Sequence, residues 1–133
     1  MGVVPFCYKT GELWGIDTVL LDNTKKVIPS VSFERTFTYT LANYLKFASE
    51  TLHLALPLKI IAGATDVESY RMGAEGNWTF GGFEKIVGRA FNEKIIYEGL
   101  ITDYTAKASA VLRPFFEHVW EECGLERPDK EEL

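Results

Sequence analysis

Four sets of residues have side chains whose type and spacing suit chemistry: a glycine-rich stretch, two histidines, acids in strand-like runs, and two cysteines. Gly73-Ala74-Glu75-Gly76-Asn77-Trp78-Thr79-Phe80-Gly81-Gly82 has the glycine density of a phosphate-cradling loop. A P-loop needs Lys-Ser/Thr directly after its last glycine, at the mouth of a helix, to reach phosphate and metal. Here Phe83-Glu84 follows, the acid repels phosphate, and the GxGxxG spacing is absent. The stretch therefore reads as a β-loop. Trp78 and Phe80 within it either cover the core, as most aromatics do, or stand out as an interaction patch.

The histidines make a poor metal site. His53 lies at the end of a helical stretch and reads as a partner of the helix dipole. His118 and Glu122 stand at i, i+4 and share one helix face, but two ligands do not complete a metal site. The acids Asp17, Glu68 and Glu98 fall in extended runs. Metal-dependent nucleases set an acid and an acid-x-Lys pair on adjacent strands, so that carboxylates and a lysine meet one phosphate. Asp66-Val67-Glu68 has no lysine two positions later, and strand alternation puts these acids on a solvated face. Arg35 beside Glu34, and Arg71 after Tyr70, suit ion pairs that tie helix to sheet. Cys7 and Cys123 belong to no CxxC or Cys/His pattern and read as small buried hydrophobes. Asn77-Trp78-Thr79 has the form of a glycosylation sequon, which carries no meaning in the cytoplasm.

Composition sets the frame for these residues. The 133 residues are 47% hydrophobic, 25% charged and 14% aromatic, which is globular and excludes disordered and collagen-like classes. Nothing approaches 18 consecutive apolar residues, and no charged segment followed by an apolar one opens the chain. The expectation is a cytoplasmic protein without a membrane span. Net charge is −5, and the segment from Glu126 to Leu133 supplies −2 of it. Lys25, Lys26, Arg71, Lys85, Arg89 and Lys94 are scattered, so no concentrated basic face exists to release phosphate counterions. Direct nucleic-acid binding is not expected.

The positioning elements follow from periodicity. Residues 3–9 and 13–22 are rich in β-branched and aromatic residues around Thr10-Gly11-Glu12, a hairpin pattern in which Pro5 favours an edge strand. Phe33, Phe37, Leu41, Tyr44, Leu45, Ala48 and Leu52 recur at steps of three and four. They predict a helix of about 20 residues, capped by Ser30 or Ser32, with Glu34 in its first turn and Pro57 beyond its end. Leu58 to Ala64 reads as a buried strand, Val67 to Met72 as its alternating continuation, and Lys94 to Ile101 as a further strand. Gly73 to Gly88 is the loosest part. Ala108, Val111, Leu112, Phe115, Val119, Trp120 and Cys123 form a second helical stripe over Tyr104 to Cys123, interrupted by Pro114, with Gly124 as its terminator. The expected fold is α+β, a two-layer sandwich with a mainly antiparallel sheet and two long helices on one face. Residues 1–125 would form one domain and 126–133 a charged tail.

The strings Tyr8-Lys9-Thr10-Gly11-Glu12-Leu13-Trp14-Gly15-Ile16-Asp17-Thr18, Ile28-Pro29-Ser30-Val31-Ser32-Phe33-Glu34-Arg35 and Val67-Glu68-Ser69-Tyr70-Arg71-Met72 form an ordered set. Leu112-Arg113-Pro114-Phe115-Phe116-Glu117-His118-Val119-Trp120-Glu121-Glu122-Cys123-Gly124-Leu125-Glu126-Arg127-Pro128 completes it. In this order they resemble the C-terminal region of bacterial ATP-binding and Schlafen/Alba-type DNA-binding proteins. In such proteins the nucleotide- or DNA-binding part lies upstream, and 133 residues leave no room for it. The resemblance therefore implies an accessory role within a nucleic-acid-related parent protein, not an activity.

The reading is a non-enzymatic accessory or interaction domain that associates with itself or with another protein domain. Asp17, Glu34, Arg35, Arg71, Trp78 and Phe80 are the candidate ligand or interaction residues; no catalytic residue, metal or cofactor is expected. The alternatives are a small-molecule or nucleotide-binding domain and a divergent metal-dependent nuclease.

Overall fold

Among the described residues, two amphipathic helices and seven short strands carry the hydrophobic pattern. The computed structural model describes residues 3–7, 12–17, 20–21, 24–75, 84–91 and 94–128. The strands are β1 (Val3–Cys7), β2 (Leu13–Asp17), β3 (Val27–Pro29), β4 (Leu58–Ala64), β5 (Arg71–Glu75), β6 (Glu84–Val87) and β7 (Ile95–Ile101). The helices are α1 (Ser30–Glu50) and α2 (Ala108–Glu122). The fold is a small α+β arrangement with mixed pairing. β1 and β2 form the expected antiparallel hairpin, and among the described residues the strand that holds Pro5 has one ladder partner. β5 pairs parallel with β3 and antiparallel with β6. β4 and β7 form a seven-residue antiparallel ribbon running from Leu58 opposite Ile101 to Ala64 opposite Ile95.

α1 packs on β3 and β5, α2 packs on β7, and the helices pack on each other. Their shared core is strongly aromatic. Phe37 meets Phe115 edge-on at 5.0 Å between ring centroids, and Phe33 lies 4.8 Å from Phe37. Phe116, Leu112, Val119, Trp120, Ile28, Met72 and Ile95 complete a buried cluster. Such rings contribute attraction beyond the area they bury.

Several boundaries depart from the sequence pattern. The N-cap of α1 is Pro29, and Ser30 is already helical, because β3 runs directly into the helix with no loop to present a capping hydroxyl. α1 stops at Glu50, well before Pro57. The amides of Leu52 and Leu54 donate back to the Phe47 and Ala48 carbonyls, with His53 between them at φ 51. His53 thus ends the helix through its backbone and stands beyond the last turn, not within it as a partner of the helix dipole would. Val67 to Tyr70 is a turn, not a strand: the Tyr70 amide donates to the Val67 carbonyl, and Asp66 and Ser69 have positive φ. β6 lies within the glycine-rich region, whose composition reads as loop. α2 starts at Ala108, after a turn in which the Asp103 carboxylate accepts from the Thr105 amide and hydroxyl. Those bonds hold its pKa below the usual carboxylate value.

α2 runs through Pro114 as one helix. At its end Leu125 donates to the Trp120 carbonyl and Gly124, at φ 75, to that of Glu121, the paired closure for which glycine at this position is suited. The chain then remains packed. Arg127 reaches back to Glu34 on α1.

Candidate interaction surface

The β4–β7 ribbon has two unlike faces. Ala62, Ala64, Ile95 and Ile101 are buried, and Tyr97, on the same face, donates its hydroxyl to the Val111 carbonyl of α2. Strand alternation sends the intervening residues the other way. Lys59, Ile61 and Gly63 on β4, with Ile96, Glu98 and Leu100 on β7, therefore form an outer face. Ile61 is 63% exposed, Leu100 61% and Ile96 50%. The register puts Ile61 opposite Glu98 and diagonal to both Ile96 and Leu100, so the three apolar side chains form one patch. Lys59 and Glu98 pair across it at 3.5 Å, both well exposed.

This face corrects an expectation. Leu58 to Ala64 reads as a buried strand because Ile60-Ile61 is apolar on both sides of the pleat, and Ile95-Ile96 repeats the pattern. Only one side of each pair is covered. The doublets were the available signal: in a ribbon with one helix-covered face, the second isoleucine must face outward.

A groove of about 410 Å³ borders this ribbon, lined by Ile96, Tyr97, Glu98, Pro114, Glu117, His118 and Glu121. Three consecutive β7 residues line it and no β4 residue does, which places it along the edge of β7 away from β4. The other wall is the exposed i, i+3, i+4, i+7 stripe of α2. Glu117 and Glu121 make that wall acidic, and His118 Nε2 stands 3.8 Å from Glu122 Oε1. Among the described residues no three His, Cys, Asp or Glu side chains gather as metal ligands.

Of the candidate residues singled out from sequence, the described ones, Asp17, Glu34, Arg35 and Arg71, are not among those that line this ribbon face and groove, whereas Glu98 and His118 are. Glu34 is 5% exposed and sits between α1 and α2, where its carboxylate accepts from Trp120 Nε1 at 3.0 Å. Arg127 grips the same carboxylate with Nε at 3.1 Å and Nη2 at 2.9 Å, while its guanidinium lies over the Phe116 ring. Arg35, expected to tie α1 to the strand acids, is exposed on α1, and it is Arg127 that pairs with Glu34. Arg71 does not pair with the strand acids. Its guanidinium donates to the Gly88 carbonyl and holds the start of β5 to the end of β6. Asp17 closes β2 by accepting the Leu20 amide at 2.9 Å. Trp78 and Phe80 lie outside the described residues. Asp66 and Glu68 are exposed in the turn before β5, far from a nuclease-like pairing of strands.

Cys123 is buried, and burial pushes its thiol up to about 11, against the opposing pull of a Met72 backbone hydrogen bond and the nearby Arg89 charge. A nucleophilic cysteine needs the opposite shift. Among the described residues no helix is long and apolar enough to cross a membrane. No family model, curated protein or solved structure matches the chain.

Proposed function

We propose that this is a non-enzymatic interaction domain whose β4–β7 ribbon stacks, outer face to outer face, on the same ribbon of a second copy. The observation that carries the reading is the exposed triplet Ile61, Ile96 and Leu100. A two-fold contact uses the same patch on both copies, so the patch must complement itself. This one does, since an axis through the ribbon brings Lys59 of each copy toward Glu98 of the other. Each half-covered Ile or Leu gains about 1 kcal/mol on full burial. The six together supply about 6 kcal/mol, and with the Lys59 and Glu98 pairs the surplus over the cost of association is only about 4–5 kcal/mol, so the dimer is weak and forms at high micromolar concentration. Such contacts serve domains that act in tandem or at high local concentration.

The resemblance to the C-terminal region of Schlafen/Alba-type proteins supports a place beside a nucleic-acid-related parent protein in the bacterial cytoplasm. The test is sedimentation of the wild type and of the Ile61→Ser/Leu100→Ser variant. Both positions are exposed, so the variant keeps its fold and circular dichroism spectrum. The reading predicts concentration-dependent association in the wild type alone; equal behaviour of the two proteins contradicts it.

A further inference from the structure

Face-to-face stacking leaves the edge of β7 open, and the groove beside that edge has its own chemistry. We propose that it accepts an extended peptide segment as an added strand on β7, with basic side chains at alternate positions held by Glu117 and Glu121 of α2. This goes beyond self-association and uses the β7 edge and α2, sharing only Ile96 and Glu98 with the outer face.

Among the described residues, β7 is hydrogen-bonded to β4 alone. An open edge offers backbone donors and acceptors in a row, which an incoming strand satisfies whatever its sequence. Selectivity must come from side chains. Those of an added strand that point toward α2 recur every second residue, about 6.6 Å apart. Glu117 and Glu121 are four residues apart on the helix, a rise of about 6 Å. Successive inward lysines or arginines therefore meet successive carboxylates. Pro114 supplies apolar contact on the α2 side, Ile96 meets the outward-facing side chains of the added strand, and His118 Nε2 stands 3.8 Å from Glu122 Oε1.

The same charges decide against a second copy as the occupant. Two β7 edges joined antiparallel would form one continuous sheet, with the α2 helices side by side beneath it. The Glu117/Glu121 stripes would then confront each other, and like charges across an interface oppose it. A basic strand meets those stripes with opposite charge.

The probe is a capped octapeptide in which lysine and arginine alternate with valine, titrated into the full chain labelled for amide exchange by nuclear magnetic resonance. Protection is expected at the β7 edge amides. Affinity should fall steeply with salt and drop about tenfold or more in Glu117→Lys/Glu121→Lys, whose sites are solvent-exposed. A peptide with glutamate in place of the basic residues should not bind. Binding should persist in Ile61→Ser/Leu100→Ser, which separates this proposal from self-association. No binding at millimolar peptide, or binding that ignores the charge reversal, overturns it. So does concentration-dependent protection of the β7 edge in the protein alone, which would assign the edge to a second copy.

Discussion

The Glu34 carboxylate and the Arg127 guanidinium, 93 residues apart, meet through two hydrogen bonds at 2.9 and 3.1 Å, with both side chains largely buried. A buried ion pair adds little net stability over an apolar substitute, but removing one partner strands the other charge. Arg127→Met should therefore cost about 3–5 kcal/mol in urea unfolding, and Glu34→Gln/Arg127→Met should recover part of it. A loss below about 1 kcal/mol for the single variant would show that the pair does not hold the C-terminal segment.

That pair also marks the limit of what the sequence discloses. The stripe from Phe33 to Ala48 and the one from Ala108 to Cys123 announce α1 and α2, because a buried helix face must repeat every three to four residues. Gly124 announces the end of α2 because the closing turn needs a left-handed residue. Glu34 beside Arg35 offered no such guide. Its partner is fixed by the packing of α1 on α2, and no local period encodes that. β6 escaped for a related reason: four residues among glycines show no period, and their strand character comes from pairing with β5. The outer face of the ribbon was half legible. Alternation was visible, but apolar doublets hid which side the helices would cover.

Gly88 and Gly124 both have φ near 75, yet they should respond differently to alanine. A Cβ at Gly124 meets nothing closer than 3.6 Å, the Arg89 side chain, so Gly124→Ala should cost about 1–2 kcal/mol from backbone strain alone. A Cβ at Gly88 would come within 2.5 Å of the Cys123 carbonyl oxygen. That carbonyl accepts the Arg89 amide and cannot move freely. Gly88→Ala should lower the thermal midpoint clearly further than Gly124→Ala; equal shifts would contradict the close approach.

The Cys123 thiol gives a pH signature. Its value rises from 9.0 to about 11 chiefly by burial, so the folded protein holds the proton more tightly than the unfolded chain. The resulting stability is fully present below pH 9 and is lost as pH rises toward 11. Cys123→Ala should remove this alkaline loss, measured as unfolding free energy against pH. Iodoacetamide should label native Cys123 very slowly at pH 8, and rapid labelling there would contradict the burial.

Lys59 and Glu98 test the geometry of stacking. Lys59→Glu places like charges across the two-fold contact and should abolish dimer formation, while Lys59→Glu/Glu98→Lys restores complementarity and should return most of it. Both residues are exposed, so neither change should shift stability beyond about 0.5 kcal/mol. Failure of the double exchange to restore association would rule out the proposed pairing of Lys59 with Glu98 between copies.

The most direct measurement is sedimentation equilibrium of the wild-type protein from about 10 μM to about 1 mM, a range that spans the affinity expected of so small an apolar patch. The ribbon account predicts a single monomer–dimer equilibrium with a midpoint in the high micromolar range and no larger species, since a two-fold contact closes on itself. A protein that stays monomeric to the top of that range, or that grows beyond the dimer, contradicts it.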